Sequence, residues 1–391
     1  MNDFVFHSPT KVYFGKDQLG HLPEELAHFG TKVLMVYGGG SVKRSGLYDR
    51  LKALIEGAGL TLFELGGVEP NPRHTLVNEG AALCRREGVD VVLAVGGGST
   101  IDCSKAIAAT VPAATDDVWD LIEGRVPVTE VLPVVTVLTI AATGSEMDGS
   151  GVISNKERNL KCSLRTPLVT PRVTFEDPTL TYSVPPYQTA CGSIDIMSHI
   201  FDSTYLTLQP QMDMLVRMQE EVLKTVIKYA PVAMVEPENY EARANLMWAS
   251  SWALNGFLMN GVRQAGACHV MEHELSAYYD ITHGHGLAIL IPRWLDYILD
   301  ADTAPVIARF GRNCLGVETA CDGPIGCAQK TIRVLSHFFY DELGVASHLS
   351  SLGIDESHFE DMAAHATANG PVAGMTTLDK DDIMAIYRMC L

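Results

Sequence analysis

Residues 89–109 read VDVVLAVGGGSTIDCSKAIAA, and the fold of the first half turns on how they are read. Val89 to Val95 is a nearly unbroken apolar run, as expected of a strand buried on both faces. It passes directly into Gly96-Gly97-Gly98-Ser99, and Thr100 to Ala109 has helical character. Upstream, Lys32 to Tyr37 (KVLMVY) is a second such run and ends in Gly38-Gly39-Gly40-Ser41. A helix is predicted over 45–58, with Leu47, Leu51, Leu54 and Ile55 on one face. A strand follows over 60–65 and a helix over 75–88. Val131 to Leu138 is another apolar strand, ending in the loop Thr139 to Ser145. Strands alternating with helices mean a parallel sheet covered by helices, in the doubly wound style. Gly151 to Leu164 reads as a β-hairpin turning near 156–159, and Arg172 to Phe175 as a last strand. Pro178, Pro185 and Pro186 then mark a boundary between a domain at 1–185 and another at 186–391.

In doubly wound sheets ligands bind at the carboxyl ends of the strands. Three Gly-rich or polar loops fall there, at 38–41, 96–99 and 139–145. Glycines let a backbone approach a phosphate, and a helix N-terminus behind them offers free N–H groups and a favourable dipole. Glycines can also serve only to make tight turns, and neither GGGS loop matches G-x-G-x-x-G or the P-loop. Two such loops after buried strands nevertheless point to a nucleotide phosphate. Ser99 with Asp102 fits a helix capping box, which gives Asp102 a partly structural reading.

From Tyr187 onward the periodicity is helical. Helices are predicted near 209–230, 238–259, 286–299, 323–343, 355–368 and 379–390, with helix and loop over 302–322. Asp195 and His199 lie four apart on the first helix, hence on one face, with apolar neighbours that turn the pair inward. A carboxylate and an imidazole so placed form half a divalent-metal site, or an ordinary helical ion pair. The densest cluster is HVMEHELSAYYDITH, residues 269–283. His269 and His273 are again four apart, His283 sits where two glycines break the helical pattern, and His285 follows. Met212, Met214 and Met218 are read as core packing. His337, His348, His358 and His365 are read as isolated structural or surface residues.

The chain has 391 residues, a hydrophobic fraction of 47% and a formal net charge of −18, so it is a folded globular protein without a phosphate-neutralising surface. Nucleic acid is therefore not an expected partner. No apolar run reaches the roughly 20 residues of a membrane span. The N-terminal sequence has no signal-peptide pattern, and the nine cysteines contain no CxxC pair. A cytoplasmic address with reduced thiols is the expectation.

Together these segments resemble the iron-containing, metal-dependent group III alcohol dehydrogenases, and within them the NADPH-dependent butanol dehydrogenase and aldehyde reductase branch. The resemblance is carried by YGGGSVKRSGLYD (37–49), EPNPR (69–73), VGGGSTIDCSKAIA (95–108) and TIAATGSEMDGSGVI (139–153). It continues in FEDPTLTYSVPPYQTACGSIDIMSHIFD (175–202) and CHVMEHELSAYYDITHGHGLAILIP (268–292). It implies a Rossmann-like α/β domain followed by an all-α domain, as in dehydroquinate synthase. It implies hydride transfer between alcohols or aldehydes and a nicotinamide, and a homodimer.

By the same resemblance Asp195, His199, His269 and His283 hold one divalent metal, Fe2+ or Zn2+, with Ni2+ or Co2+ also compatible. His273 then lies beside the nicotinamide, as a candidate proton relay, and is not a ligand. Gly96, Gly97, Gly98 and Ser99 match the pyrophosphate loop and Asp102 the acidic residue after it. Thr139, Thr143 and Lys161 match cofactor-lining positions. The loop Gly38, Gly39, Gly40 and Ser41 is taken to meet the cofactor, and NAD-preferring relatives carry an aspartate around position 38 or 39, where this chain has glycines with Ser41, Lys43 and Arg44 behind them. A carboxylate there would repel a 2′-phosphate, so NADP(H) is expected over NAD(H). Two departures stand out. Gly266 lies where the branch usually has bulk near the metal, and Asp148 stands in place of an asparagine. The rival functions are a non-redox lyase similar to dehydroquinate synthase and an inactive metal-binding homologue.

Overall fold

The first unit is built on eight strands: Lys11–Phe14 (β1), Lys32–Gly38 (β2), Thr61–Val68 (β3), Val91–Gly96 (β4), Val134–Leu138 (β5), Ser150–Asn155 (β6), Leu160–Arg165 (β7) and Val173–Glu176 (β8). Six of them form one sheet in the order β1-β8-β5-β4-β2-β3, and every neighbouring pair is parallel. β6 and β7 pair antiparallel as the predicted hairpin. The structure, a computed structural model, describes residues 1–318 and 321–391. It divides into His7–Val184 and a second unit made of Pro185–Leu391 with Met1–Phe6. Residues 319–320, within the stretch read as helix and loop, lie outside the described residues.

β4 is buried along its whole length, which is why its sequence shows no alternation. Around the sheet run Leu22–Ala27 (α1), Ser41–Arg44 (α2), Leu47–Gly57 (α3), His74–Glu87 (α4), Gly98–Thr110 (α5) and Val118–Ile122 (α6). Two apolar clusters cover the faces, one including Leu34, Val92, Ile107 and Trp119, the other Val33, Leu93, Leu51 and Phe175. The chain leaves β2 for β3 on one side, then returns past β2 to β4 on the other. The topological switch point therefore lies between β2 and β4, flanked by loops 38–41 and 96–99.

Some expectations are corrected. The helix expected over 45–58 is α3, but a short helix, α2, precedes it from Ser41, within the stretch read as loop 38–41, and Gly46, with a left-handed φ of 76°, separates the two. α5 begins at Gly98 with Gly97 as its N-cap, so Ser99 and Asp102 form no capping box. β1 escaped the sequence reading: it is four residues long, at the sheet edge, and largely uncovered.

The second unit is helical among its described residues: Pro186–Ile200 (α7), Asp213–Val235 (α8), Tyr240–Leu254 (α9), Ala267–Tyr279 (α10), His283–Tyr297 (α11), Ala304–Cys314 (α12), Gly323–His337 (α13), Phe359–Ala366 (α14) and Lys380–Met389 (α15). α7 runs into a π-helical turn, Phe201–Tyr205. No described helix is long and apolar enough to cross a membrane. Met214 is not core packing: it is 60% exposed and, with Met218, Trp248 and Trp252, lines an open groove between α8 and α9.

The α/β unit also buries a charge. Lys105 on α5 is fully buried and donates to Ser145 Oγ at 2.9 Å, to the Ser150 carbonyl at 2.7 Å and to the Asp148 carboxylate. Asp148, the departure from asparagine, is thus the counter-charge of a buried lysine. Removing one partner of such a pair typically costs about 3–5 kcal/mol. Lys105→Met is expected to destabilise the protein by roughly that amount in urea unfolding. The loss should be larger at pH 8 than at pH 5. Stranded carboxylates take up protons in the folded state, and that preference costs stability as pH rises above the unfolded carboxylate range.

Candidate metal and nucleotide sites

The two sets of predicted residues fall in different units, and each is described by itself. In the helical unit, α7 presents Asp195 and His199 one turn apart, both buried. His199 Nε2 lies 3.7 Å from Asp195 Oδ1. His269, in the first turn of α10, stacks on His199 with ring centroids 4.9 Å apart. His283, the first residue of α11, places Nε2 at 3.6 Å from Asp195 Oδ1, and its ring is 5.4 Å from that of His269. One carboxylate and three imidazoles thus converge. Potential ligand atoms of Asp195, His199 and His269 all lie within 4.8 Å of one another.

The glycines read as helix breakers are inside α11, and they explain this convergence. A Cβ on Gly284 would overlap the Cys191 carbonyl, one turn before Asp195 on α7. A Cβ on Gly286 would lie 2.8 Å from Glu272 Cγ. Only hydrogen at these positions lets the start of α11 come down on α7 and α10.

Electrostatics favour a cation here. Burial pushes the His199 imidazole well below its usual range, with the neighbouring His269 acting in the same direction. His269 is also penalised by burial, but its hydrogen bond to Asp202 and that carboxylate's charge outweigh the penalty and raise it. His199 Nδ1 and His269 Nε2 are buried and find no hydrogen-bond partner among the described residues. Buried polar nitrogens without partners are costly, and a bound ion would satisfy His269 Nε2. The residues present therefore fit a divalent metal.

Two carboxylates behind the imidazoles were missed by sequence reading. Asp202, on the π-helical turn, accepts from the His269 backbone N–H at 2.8 Å and faces its Nδ1 at 3.0 Å. Glu272, on α10, contacts His283 Nδ1 and accepts from Ser276 Oγ. The signal was present: Asp202 is seven residues after Asp195, on the same face, and Glu272 is three after His269.

His273, one turn beyond His269, is half-buried with its ring 5.6 Å from that of His283. His285 is structural: Nε2–H donates to the Ala346 carbonyl and Nδ1 accepts from Tyr187, both at 2.9 Å. His358 and His365 are not isolated, since both pack on Tyr278, and His365 Nδ1 is 3.5 Å from Glu274. Gly266, the N-cap of α10, has open space where a Cβ would point.

In the α/β unit, loops 38–41, 96–99 and 139–145 leave the adjacent strands β2, β4 and β5 at one end of the sheet. A Cβ on Gly97 would overlap Ile140, and one on Gly98 would overlap Thr143. Two loops thus close on each other, with Gly97, Gly98 and Ser99 at the start of α5 and its unpaired N–H groups. Thr139 donates its backbone N–H to Gly96 at 3.0 Å. Lys161 is buried on β7, across from Ser154. Asp102 turns inward: its carboxylate accepts from Ser145 Oγ at 2.5 Å and from the Val152 N–H at 2.9 Å. Burial pushes it up to about 6, against the pull of Lys105 and the Ser145 hydrogen bond. Those bonds make Asp102 a tie between α5 and the hairpin.

The chain matches the iron-containing alcohol dehydrogenase family over residues 9–178 and the C-terminal region of the Fe-containing alcohol dehydrogenase family over 189–391. It is 45% identical to NADH-dependent butanol dehydrogenase A of Clostridium acetobutylicum, covering 99% of each chain. It is 37% identical to the NADPH-dependent aldehyde reductase YqhD of Escherichia coli, covering 91% of each. The crystal structure of NADH-dependent butanol dehydrogenase A from Thermotoga maritima superposes with a TM-score of 0.93 at 33% identity, covering 100% of this chain and 99% of that one.

The packing of Gly97 on Ile140 gives one expectation. Overpacking of this kind costs about 1–3 kcal/mol. Gly97→Ala should therefore weaken nicotinamide dinucleotide binding by roughly tenfold or more in a fluorescence titration, while metal content stays at the wild-type level.

Proposed function

Because the chain belongs to the iron-containing alcohol dehydrogenase family, and is an alcohol/aldehyde oxidoreductase, we propose that it works as an NADP(H)-dependent aldehyde reductase of broad range. One divalent ion is held by Asp195, His199, His269 and His283. The observation that carries this reading is the convergence of one carboxylate and three imidazoles, with His269 Nε2 buried and without a partner among the described residues. When bound, the ion supplies a Lewis acid to a carbonyl or hydroxyl oxygen, and the nicotinamide supplies or accepts the hydride.

The rest of the work falls to the chain. The α/β unit, His7–Val184, binds the dinucleotide and the helical unit holds the metal. Gly96, Gly97, Gly98 and Ser99 approach the pyrophosphate at the α5 N-terminus, where backbone N–H groups favour an anion. Thr139, Thr143 and Lys161 line the cofactor, and Asp102 fixes the hairpin that carries Lys161. His273 is placed to relay a proton, because it is half-buried beside His283 and need not serve as a ligand. The donor set suits Fe2+, Zn2+, Ni2+ or Co2+. The open space at Gly266 favours larger aldehydes. A homodimer and a cytoplasmic address belong to the same reading. Loss of metal from His199→Ala and His283→Ala, by elemental analysis, with loss of aldehyde-dependent NADPH oxidation, is the expected outcome. Normal metal content and turnover in either variant would refute the ligand set.

Preference for NADP(H) is supported by the loop after β2. Gly38 and Gly39 carry no charge, and the Arg44 guanidinium lies 3.5 Å from where a Gly40 Cβ would stand. Lys43 Nζ sits over the rings of Tyr37 and Tyr48, at 4.9 and 4.6 Å. The Glu64 carboxylate is occupied by both tyrosine hydroxyls, at 3.1 and 2.6 Å. The names of the relatives point both ways, since the clostridial enzyme is called NADH-dependent and the Escherichia coli one NADPH-dependent. NADPH is expected to give the higher kcat/KM with the same aldehyde; equal or better NADH use overturns the preference. A Cβ on Gly39 meets nothing within 4 Å, so Gly39→Asp should fold normally. It should lower kcat/KM for NADPH by roughly tenfold or more through like-charge repulsion.

A further inference from the structure

We propose that Glu272 and Asp202 are positioning residues that fix the tautomer and orientation of His283 and His269, and so set how tightly the chain holds its metal. The inference rests on the metal reading above and concerns residues outside the ligand set. Asp202 is almost fully buried, and the same carboxylate oxygen receives both the backbone N–H and the Nδ1 side of His269, at 2.8 and 3.0 Å. That double contact fixes the ring against its own helix. A carboxylate facing Nδ1 requires the proton there, which leaves the lone pair on Nε2. Glu272 does the same for His283: its carboxylate contacts Nδ1, while His283 Nε2 points to Asp195 at 3.6 Å. Carboxylates behind ligating histidines raise ligand basicity as well as orienting the ring.

Glu272, His273 and His283 could also be read as a second metal cluster, since potential ligand atoms from the three lie within 4.8 Å of one another. The surroundings of Glu272 favour the positioning role. The residue is fully buried, its other oxygen accepts from Ser276 Oγ, and its Cγ packs where a Gly286 side chain would be. Both oxygens are thus committed to groups of the protein. Asp202 and Glu272 come from different elements, the π-helical turn and α10, yet each stands behind one imidazole.

The test uses the full chain loaded with Co2+, whose visible spectrum reports ligand geometry. Glu272→Gln and Asp202→Asn keep side-chain size and remove the charge. The wild type should bind one Co2+ per chain. Both variants should release it to a chelator faster by on the order of 10- to 100-fold, with a shifted visible spectrum. The gap between the thermal midpoints of metal-loaded and metal-free protein should shrink in each variant. A merely structural role would lower both midpoints together and leave the gap, the spectrum and the release rate unchanged; that result overturns the proposal. Two Co2+ per wild-type chain would make Glu272 a ligand of a second site and overturn it as well. Failure of the wild type to bind stoichiometric Co2+ would instead remove the metal reading itself, a result distinct from the other two.

Discussion

The approach of α11 to α7 at Gly284 is the constraint on which the metal cluster depends. Helices normally pack with axes 8–10 Å apart, held off by their side chains. Here the Gly284 backbone rests against the Cys191 carbonyl, where no side chain would fit. Because Cys191 is one turn before Asp195, that contact delivers His283 to the Asp195 carboxylate. Gly286 plays the matching part towards α10, making room for Glu272. Hydrogens in place of side chains, two residues apart, let three helices contribute to one buried cluster. That cluster, with Asp202 and Glu272 behind it, concentrates three carboxylates and three imidazoles in low dielectric, an arrangement that is costly without a cation and favourable with one.

The α/β unit uses the same device for a different end. Gly97 and Gly98 admit Ile140 and Thr143, so the loop after β5 is seated on the start of α5. Beneath them Lys105, Ser145, Asp102 and Asp148 form a chain of charge-assisted hydrogen bonds that fastens the hairpin to α5. The glycine backbone at the start of α5 is thus held on rigid support, which suits a site that must meet a phosphate closely without moving to do so.

Much of this was legible in the sequence, for physical reasons that differ by element. β4 could be read because a strand buried on both faces is apolar throughout, and α4 because one face of it is. Asp195 and His199 could be paired because helical spacing alone puts them together. The partnership of His269 with His283 could not be read from spacing. The i, i+4 pair His269 and His273 is the obvious chelate, and only tertiary packing carries His283 across. The glycines of ITHGHG marked a helix start, since His283 opens α11, but not their second part: they lie inside α11 and permit contact between helices, which local propensity does not show. Asp148 was opaque because its meaning lies in a lysine 43 positions away along the chain. β1 was missed because a short, uncovered edge strand leaves almost no hydrophobic pattern.

The arm Met1–Phe6 carries a consequence for how the helical unit assembles. Met1–Phe6 groups with the helical unit, although His7–Val184 follows it directly. Asn2 donates its backbone N–H to Gly261 at 2.8 Å, and the Phe6 ring meets Phe257 edge-on at 5.2 Å. More than 250 positions along the chain separate these residues from their partners. The whole of the α/β unit lies between them in sequence, although the entropic cost of closing so long a loop grows only slowly with its length. The second unit is therefore discontinuous in sequence, and completing it needs a contact of high sequence separation, the kind that slows folding.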